Sequence, residues 1–180
     1  MLIGRGLRGD LPGGRAGLVA NRSVSGRSDG GGERRIPAAQ FFTGLYTTAL
    51  SERELIAAVE FPALGPQERC VILELARRSG DYAMAGIVLR TQVSGGVLAN
   101  PRFVFFGVGE TPVVASGAMA ELAGKPATAE TIERALAALA ADLDPPTDQH
   151  GGPDMKRHLA RVLLARALAR IAGTPQVRAA

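Results

Sequence analysis

The feature that most constrains this chain is a change in the spacing of its apolar residues. From residue 55 to residue 108 they form short runs separated by glycine, proline and polar residues, as in β-strands. After Gly109 they recur with the 3.6-residue period of a helix. Strands therefore come first and helices after. This order predicts an α+β fold, with an antiparallel sheet of three to four strands packed on a small helical bundle.

Four segments are predicted to be strands. They are residues 55–61, 70–76, 84–93 and 103–108. The third is followed by Ser94, Gly95 and Gly96, and the fourth contains aromatic and β-branched residues. A short connection that contains glycine is typical of a β-hairpin. The third and fourth strands are therefore predicted to pair.

Three helices are predicted in the carboxy-terminal half, over residues 115–122, from Thr128 to the Pro145-Pro146 pair, and over residues 154–172. Thr128 is suited to cap the second helix, because its hydroxyl accepts a bond from a free amide of the first turn. One face of that helix is apolar, with Ile132, Leu136, Leu139 and Leu143. The third helix is apolar on most sides and ends at Gly173, so it should lie in a bundle or against a partner.

Residues 1–35 are rich in glycine, arginine and serine, and they are predicted to be loop or frayed chain, with residues 18–25 as a poor candidate strand and ordered structure beginning at Ile36. The net charge of +4 lies in residues 1–36, which have seven arginines and three acidic residues. Nucleic-acid sites need cations on an ordered face together with stacking aromatics, and this segment has no aromatic residue. We interpret the charge as compositional bias and expect no nucleic-acid binding.

Several other kinds of site are not expected. The single cysteine, Cys70, excludes an internal disulfide and a cysteine-built metal cluster, and its apolar neighbours predict a buried structural thiol. His150 and His158 have no carboxylate at a metal-binding spacing, and no catalytic nucleophile is recognisable. The GxGxxG spacing in residues 4–9 is not expected to bind phosphate, because it lacks the preceding strand and following helix of a dinucleotide-binding motif.

The sequence also bears on localisation. It contains no apolar run of about 18 residues, so no membrane span is predicted. Its first residues lack the apolar stretch of a secretory signal, so a cytoplasmic protein is expected.

Asp81 and Tyr82 form the one candidate binding feature that the residues themselves suggest. They follow a glycine-containing bend, Arg77 to Gly80, at the start of a predicted strand. An aromatic ring in such a place can stack on a planar ligand. It can equally be a tyrosine packed at the end of a sheet, and the pattern leaves both interpretations open.

Five segments, in this order, resemble the medium (flavin-binding) subunit of molybdenum hydroxylases of the carbon monoxide dehydrogenase and xanthine dehydrogenase type. They are residues 36–50 with 54–56 (IPAAQFFTGLYTTAL, ELI), 73–83 (LELARRSGDYA), 106–113 (FGVGETPV), 144–145 (DP), and 148–150 with 156–159 (DQH, KRHL). The resemblance covers about residues 33–172 and concerns the carboxy-terminal portion of such subunits.

The resemblance implies an oxidoreductase subunit that acts within a complex and is not active alone. In this family FAD lies between an amino-terminal domain and the carboxy-terminal domain. Electrons reach it from a molybdopterin-binding large subunit through a small subunit with two [2Fe–2S] clusters, and they leave to an external acceptor. The resemblance also implies a division of the chain into three parts. Residues 1–35 would be a degenerate end of the FAD-binding domain, and residues 36–66 would be the last segment of that domain. Residues 67–175 would be the flavoprotein carboxy-terminal domain.

The resemblance also assigns six residues to the FAD site. They are Tyr82, Asp81, Ile56, Leu55, Glu74 and Thr48. Tyr82 matches the residue beside the isoalloxazine ring, while Leu55 and Ile56 match a strand start whose backbone approaches the flavin. Glu74 occupies a position that is a cofactor-contacting lysine in xanthine dehydrogenase-like relatives. Catalytic residues and metal ligands are not expected.

Two glycine-rich phosphate loops of the family, with the patterns AGGxSLxP and GGSLAHADP, are not found in these 180 residues. The expectation is therefore an amino-terminally truncated or split subunit with a weak or shared FAD site, because the pyrophosphate lacks its backbone amides. The alternative is a non-catalytic module that docks to partner subunits and has lost flavin binding.

Overall fold

The computed structural model describes residues 23–28, 32–61, 63–78, 80–149 and 151–173. The first part of the chain forms a three-stranded antiparallel sheet in the order β2-β1-β5. Its strands are β1 (Ser23–Ser28), β2 (Glu33–Pro37) and β5 (Glu54–Glu60). Between β2 and β5 the chain forms a single-turn helix and a small hairpin, which are α1 (Ala38–Phe41), β3 (Phe42–Gly44) and β4 (Thr47–Thr48).

The prediction that ordered structure begins at Ile36 was wrong. β1 lies between β2 and β5 and forms backbone hydrogen bonds with both, pairing Val24 with Ile36 on one side and with Val59 on the other. Its sequence, SVSGRS, has almost no apolar residue, so hydrophobic periodicity gave only a weak signal. The ladder to two neighbours orders this strand instead.

The second part of the chain forms a larger antiparallel sheet in the order β10-β8-β7-β6, with β9 paired to β8. Its strands are β6 (Glu68–Leu75), β7 (Ala85–Ser94), β8 (Val97–Phe106), β9 (Val113–Val114) and β10 (Lys125–Pro126). The α+β class and the antiparallel sheet predicted from the sequence are therefore confirmed.

The β7–β8 hairpin is confirmed, and its two-residue turn explains the glycines. Gly95 and Gly96 have φ of 56° and 80°, the pair of left-handed conformations that a tight hairpin turn needs. The predicted start of β8 at residue 103 was wrong, because the strand already begins at Val97. A register shift and the left-handed Asn100, with φ of 51°, break the alternation that sequence patterning relies on.

The carboxy-terminal half contains three helices, and all three were predicted; the two-residue strand β10 lies between the first and the second. The helices are α2 (Ser116–Leu122), α3 (Ala129–Asp142) and α4 (Pro153–Ala172). The Thr128 hydroxyl accepts a hydrogen bond from the Thr131 amide and caps α3 as expected. Gly173 ends α4 in the left-handed conformation, with φ of 73°. None of the helices within the described ranges is both long and apolar enough to cross a membrane.

The main core lies between one face of the larger sheet and the helices. The sheet contributes Ala85, Ile87, Leu89, Phe103 and Phe105, all with 0% exposure. The buried face of α4 lies against them and against α3, as its apolar sequence required, and includes Ala160, Leu163, Leu164, Ala167, Leu168 and Ile171. α4 is thus a core helix of the bundle.

The other face of the larger sheet is also covered at its centre. Val88, Val104 and Phe106 are buried there, and the half-buried Phe42 packs on them. Phe42 also packs on the small core of the first part of the chain, where its ring meets that of Phe41 edge to face at 5.0 Å between centroids. Phe42 therefore connects the two sheets.

Cys70 does not have the buried position expected from its apolar neighbours. It lies exposed on β6, an edge strand whose outward residues alternate with inward ones. Partial desolvation raises the pKa of its thiol above the ordinary value of 9.0, although the charge of Arg90 opposes this. The thiolate fraction at neutral pH is therefore small.

Gly86 gives a first test of the packing on the second sheet face. A Cβ at this position would lie 2.0 Å from the Phe106 ring, which covers the glycine from the neighbouring strand. We expect Gly86→Ala to lower the free energy of unfolding by about 1–3 kcal/mol through overpacking, measured by urea denaturation. Gly65→Ala is the control, because its Cβ would make only ordinary contacts, the nearest at 3.6 Å. Equal stability of the two variants would contradict the packing described.

Asp142 gives a second test, because it caps a helix to which it does not belong. Its two carboxylate oxygens accept hydrogen bonds from the Gly117 and Ala118 amides, at 3.0 and 2.9 Å, in the first turn of α2. Removing a carboxylate from such a position costs about 1–2 kcal/mol. We expect that loss for Asp142→Ala in urea denaturation and almost none for Asp144→Ala, whose side chain is fully exposed. Equal losses would show that the cap does not stabilise the fold.

Candidate functional site

A polar cleft of about 300 Å³ lies where β6 ends and the chain bends back to β7. Its lining residues are Glu74, Ala76, Arg77, Arg78, Gly80 and Asp81. Two guanidinium groups and two carboxylates thus face one small space. Such a lining is suited to a ligand with several hydrogen-bonding atoms rather than to an apolar one.

Backbone hydrogen bonds fix the loop that forms this cleft. The Asp81 amide donates to the Arg78 carbonyl at 3.2 Å, which closes a turn, and the Met84 amide donates to the Leu75 carbonyl at 2.8 Å, which returns the chain to the sheet. Gly80 has φ of 84°, a conformation that other residues rarely adopt. The backbone conformation of the bend therefore explains why glycine occupies this position.

Tyr82 follows directly after the cleft residue Asp81. The Asp81 carboxylate accepts a hydrogen bond from the Tyr82 amide at 2.9 Å, which holds the two residues in a fixed relation. The tyrosine is 59% exposed, so packing at the sheet end does not account for it. Tyr82 is not among the residues that line the cleft, but its exposed ring adjoins one of them in the sequence.

Arg77 is a cleft-lining residue that forms a hydrogen bond to a segment distant in the sequence. Its Nη2 donates to the carbonyl oxygen of Gln149 at 2.8 Å, across 72 positions of sequence. Sequence patterning named Arg77 and Arg78 only as the residues before the Asp81-Tyr82 pair. Both arginines lie in the bend that precedes Asp81 and Tyr82, and this position was the sequence signal that could have added them to the candidate site.

The structure brings together two of the six residues assigned by resemblance, Glu74 and Asp81, with Tyr82 adjoining. The other three lie in the first part of the chain. Leu55 on β5 is 77% exposed, while Ile56 packs on the small core. Thr48 on β4 is exposed, and its hydroxyl accepts a hydrogen bond from the Leu50 amide at 3.4 Å. The roles of all six remain predictions.

No group of three or more histidine, cysteine, aspartate or glutamate residues suited to a metal ion occurs in the part of the chain that the structure describes. His158 is exposed on α4. His150 and the GxGxxG spacing of residues 4–9 lie outside the described residues.

Comparison with known proteins identifies the fold of this site. Residues 72–171, which include the cleft, helices α2 and α3 and all but the last residue of α4, match the CO dehydrogenase flavoprotein C-terminal domain. The chain belongs to this family. The flavoprotein resemblance seen in the sequence motifs is therefore confirmed.

Individual relatives agree with the family. The carbon monoxide dehydrogenase medium chain of Hydrogenophaga pseudoflava is 32% identical over 137 residues, which is 76% of this chain and 48% of that one. The glyceraldehyde dehydrogenase medium chain of Sulfolobus acidocaldarius is 27% identical over 81% of this chain and 51% of its own length. The chain thus spans about half the length of the curated relatives it matches.

A solved structure gives the same result in three dimensions. The carbon monoxide dehydrogenase from Hydrogenophaga pseudoflava, in a form that lacks the Mo-pyranopterin moiety of the molybdenum cofactor, superposes with a TM-score of 0.81 at 31% identity. The match covers 88% of this chain and 56% of that one. It includes most of the first part of the chain as well as the family domain.

The strand start that contains Leu55 and Ile56 depends on a neighbouring ion pair, between Arg34 and Glu54. The guanidinium contacts both carboxylate oxygens, at 2.6 and 2.7 Å, and also donates to the Ala49 carbonyl at 2.6 Å. Hydrogen bonds from Arg34, and then from the Ser51 amide, lower the pKa of Glu54 from 4.5 to about 2. The carboxylate is therefore stabilised in the folded state.

This ion pair predicts a dependence of stability on pH. The folded-state pKa lies below the unfolded one, so the contribution of Glu54 is complete above pH 4.5 and is lost as the pH falls towards 2. We expect the urea-unfolding free energy to fall less steeply across this window in Glu54→Gln than in the native chain. Identical slopes for the two proteins would mean that Glu54 is not held by Arg34.

Proposed function

We propose that this chain provides one wall of an FAD site in a molybdenum hydroxylase complex and serves the transfer of electrons from iron–sulfur clusters to an external acceptor. The single observation that carries the proposal is the fixed, polar cleft at the end of β6, with the exposed Tyr82 beside it. Membership of the flavoprotein family supports the choice of a flavin as the planar ligand.

The residues of the cleft fit the polar edge of a flavin ring. Arg77 and Arg78 are donors and Glu74 is an acceptor, which suits the alternating carbonyl and N–H groups of that edge. The exposed ring of Tyr82 offers a stacking face. FAD, when bound, supplies the redox chemistry, while the protein orients the ring, excludes water and tunes it electrostatically.

The phosphates of FAD need a different set of residues. Neither glycine-rich loop expected from the resemblance occurs in these 180 residues, so the amides that bind the pyrophosphate would come from outside them. The affinity of the chain alone for FAD should be weak. A shared site of this kind agrees with a chain that spans about half of its relatives.

The proposed partners are a molybdopterin-binding large subunit and a small subunit with [2Fe–2S] clusters. The names of the relatives, such as medium chain, support a multi-subunit assembly. The acceptor would be NAD, a quinone or oxygen. We assign this chain to the cytoplasm. Its single cysteine cannot form an internal disulfide, so the chain does not need an oxidising compartment for this purpose.

A second candidate function is a docking module that no longer binds flavin. The lack of both phosphate loops in these 180 residues favours the docking module, since contacts to the isoalloxazine ring alone would have to supply the free energy of FAD binding. The larger sheet and its helices would then serve as structural contacts to other subunits.

Flavin titration distinguishes the two functions. We expect saturable FAD binding in the micromolar to millimolar range, followed by flavin fluorescence, and about five- to ten-fold weaker binding for Tyr82→Ala because a stacking face worth about 1–1.4 kcal/mol is lost. Tyr82→Phe keeps the ring and should bind like the native chain.

Phe61→Ala is the matched control, because Phe61 is an aromatic residue of similar exposure, 60%, that directly follows β5 and does not adjoin a cleft-lining residue in the sequence. It should leave FAD binding unchanged. Absence of binding by the folded native chain, with the phosphate-binding portion supplied separately, would favour the docking module. Equal losses for Phe61→Ala and Tyr82→Ala would remove Tyr82 from the site.

A further inference from the structure

Lys156 is an unusual residue in this structure, because its side chain is only 1% exposed although it is charged. It lies in the first turn of α4, and its Nζ donates to the Asp148 carboxylate at 2.5 Å. The Asp148 side chain remains 38% exposed. A buried ammonium group is costly unless it is paired, so this carboxylate is held against it strongly.

Asp148 belongs to a short turn that the structure closes on itself. The Asp148 amide donates to the Gly151 carbonyl at 3.2 Å, and the Gly151 amide donates back to the Asp148 carbonyl at 3.1 Å. Gln149 lies within this turn, and its carbonyl oxygen accepts the hydrogen bond from Arg77. Lys156 therefore fixes the segment that in turn holds a cleft residue.

The sequence of contacts runs from helix α4 to the cleft without interruption. Lys156 binds Asp148, the next residue is Gln149, and the Gln149 carbonyl binds the guanidinium of Arg77. Arg77 lies in the loop between β6 and β7 that lines the cleft. Arg77 is thus a cleft-lining residue that contacts this turn directly.

We infer that Lys156 is a positioning residue for the cleft, which acts through Asp148, Gln149 and Arg77 to hold the 76–82 loop in its ligand-ready conformation. Its effect on FAD affinity rests on the proposed function. Its effect on the loop does not, because the contacts exist in the protein alone. The two parts of the inference are therefore separately measurable.

The first experiment measures amide hydrogen exchange in the full chain without flavin. We expect Lys156→Met, which keeps the length of the side chain and removes its charge, to speed exchange in residues 76–82 about ten-fold, as for the loss of one charge-assisted hydrogen bond. Lys125→Met is the matched control, since Lys125 is the only other lysine and pairs with Glu121, at 3.3 Å, away from the turn. It should leave exchange in this loop unchanged.

A double variant separates positioning from general stability. Asp148→Asn combined with Lys156→Met removes both charges, so the partly buried Asp148 carboxylate is not left without its lysine partner, and this variant should unfold less readily than Lys156→Met alone. Residues 76–82 should nevertheless stay about ten-fold less protected than in the native chain, because the hydrogen bond between Lys156 and Asp148 is still missing. This variant also provides the measurement if Lys156→Met does not fold. Native protection of the loop in the double variant would overturn the inference.

The flavin measurement then tests the functional consequence. In an assembly that binds FAD, we expect Lys156→Met and the double variant to raise the Kd about ten-fold, with the Lys125→Met control unchanged. Faster exchange with an unaltered Kd would overturn the positioning role for flavin. If the native protein binds no FAD in any assembly, the proposed function fails, while the exchange result decides the link between Lys156 and the loop on its own.

Discussion

The structure depends on the β7–β8 hairpin, because this pair of strands is buried on both faces. The helices cover one face, through Ile87, Leu89, Phe103 and Phe105. The other face is covered at its centre by Phe42, which belongs to the first part of the chain. A hairpin enclosed in this way must have apolar residues on successive positions, and residues 85–89 do. The first part of the chain thus packs on the same two strands through Phe42.

The position of the candidate cleft follows from this arrangement. β6 pairs with β7 along its whole length, and the Met84–Leu75 hydrogen bond returns the chain to the sheet at the point where β7 begins. The loop between them projects from a rigid edge, and the Arg77–Gln149 contact ties it to the connection between α3 and α4. Functional loops on rigid scaffolds are common, because the scaffold supplies precision that the loop lacks. The helical bundle therefore contributes to the site although none of its side chains lines the cleft.

Elements with a clear apolar pattern could be predicted from the sequence. β5 and β7 are short runs of apolar residues, and the buried positions of α3 recur with a helical spacing. The two glycines between β7 and β8 marked their turn. β1 gave only a weak signal, a poor candidate strand over residues 18–25, because its order comes from pairing with two other strands rather than from apolar residues. The short helix α1 and the β3–β4 hairpin, over residues 38–48, were too brief to give a periodic signal.

The residues of the candidate site also divide into those with a local sequence signal and those without one. Tyr82, Asp81 and Glu74 were named from motif resemblance and from a bend in the chain, both of which are local features. The contact of Arg77 with Gln149 joins residues 72 positions apart, and no local pattern reports it. Lys156 gave no sign of burial, since lysine is almost never fully buried unless it is paired. Long-range contacts of this kind are the part of a site that only a structure reveals.

A structure of the assembled subunit with FAD bound would decide whether this chain forms a wall of the flavin site. We expect the isoalloxazine ring at the end of β6, with its polar edge facing Arg77 and Glu74 and its centroid about 4.5–7 Å from that of the Tyr82 ring. A flavin bound elsewhere, with this cleft open to solvent, would contradict the claim that the chain forms a wall of the flavin site.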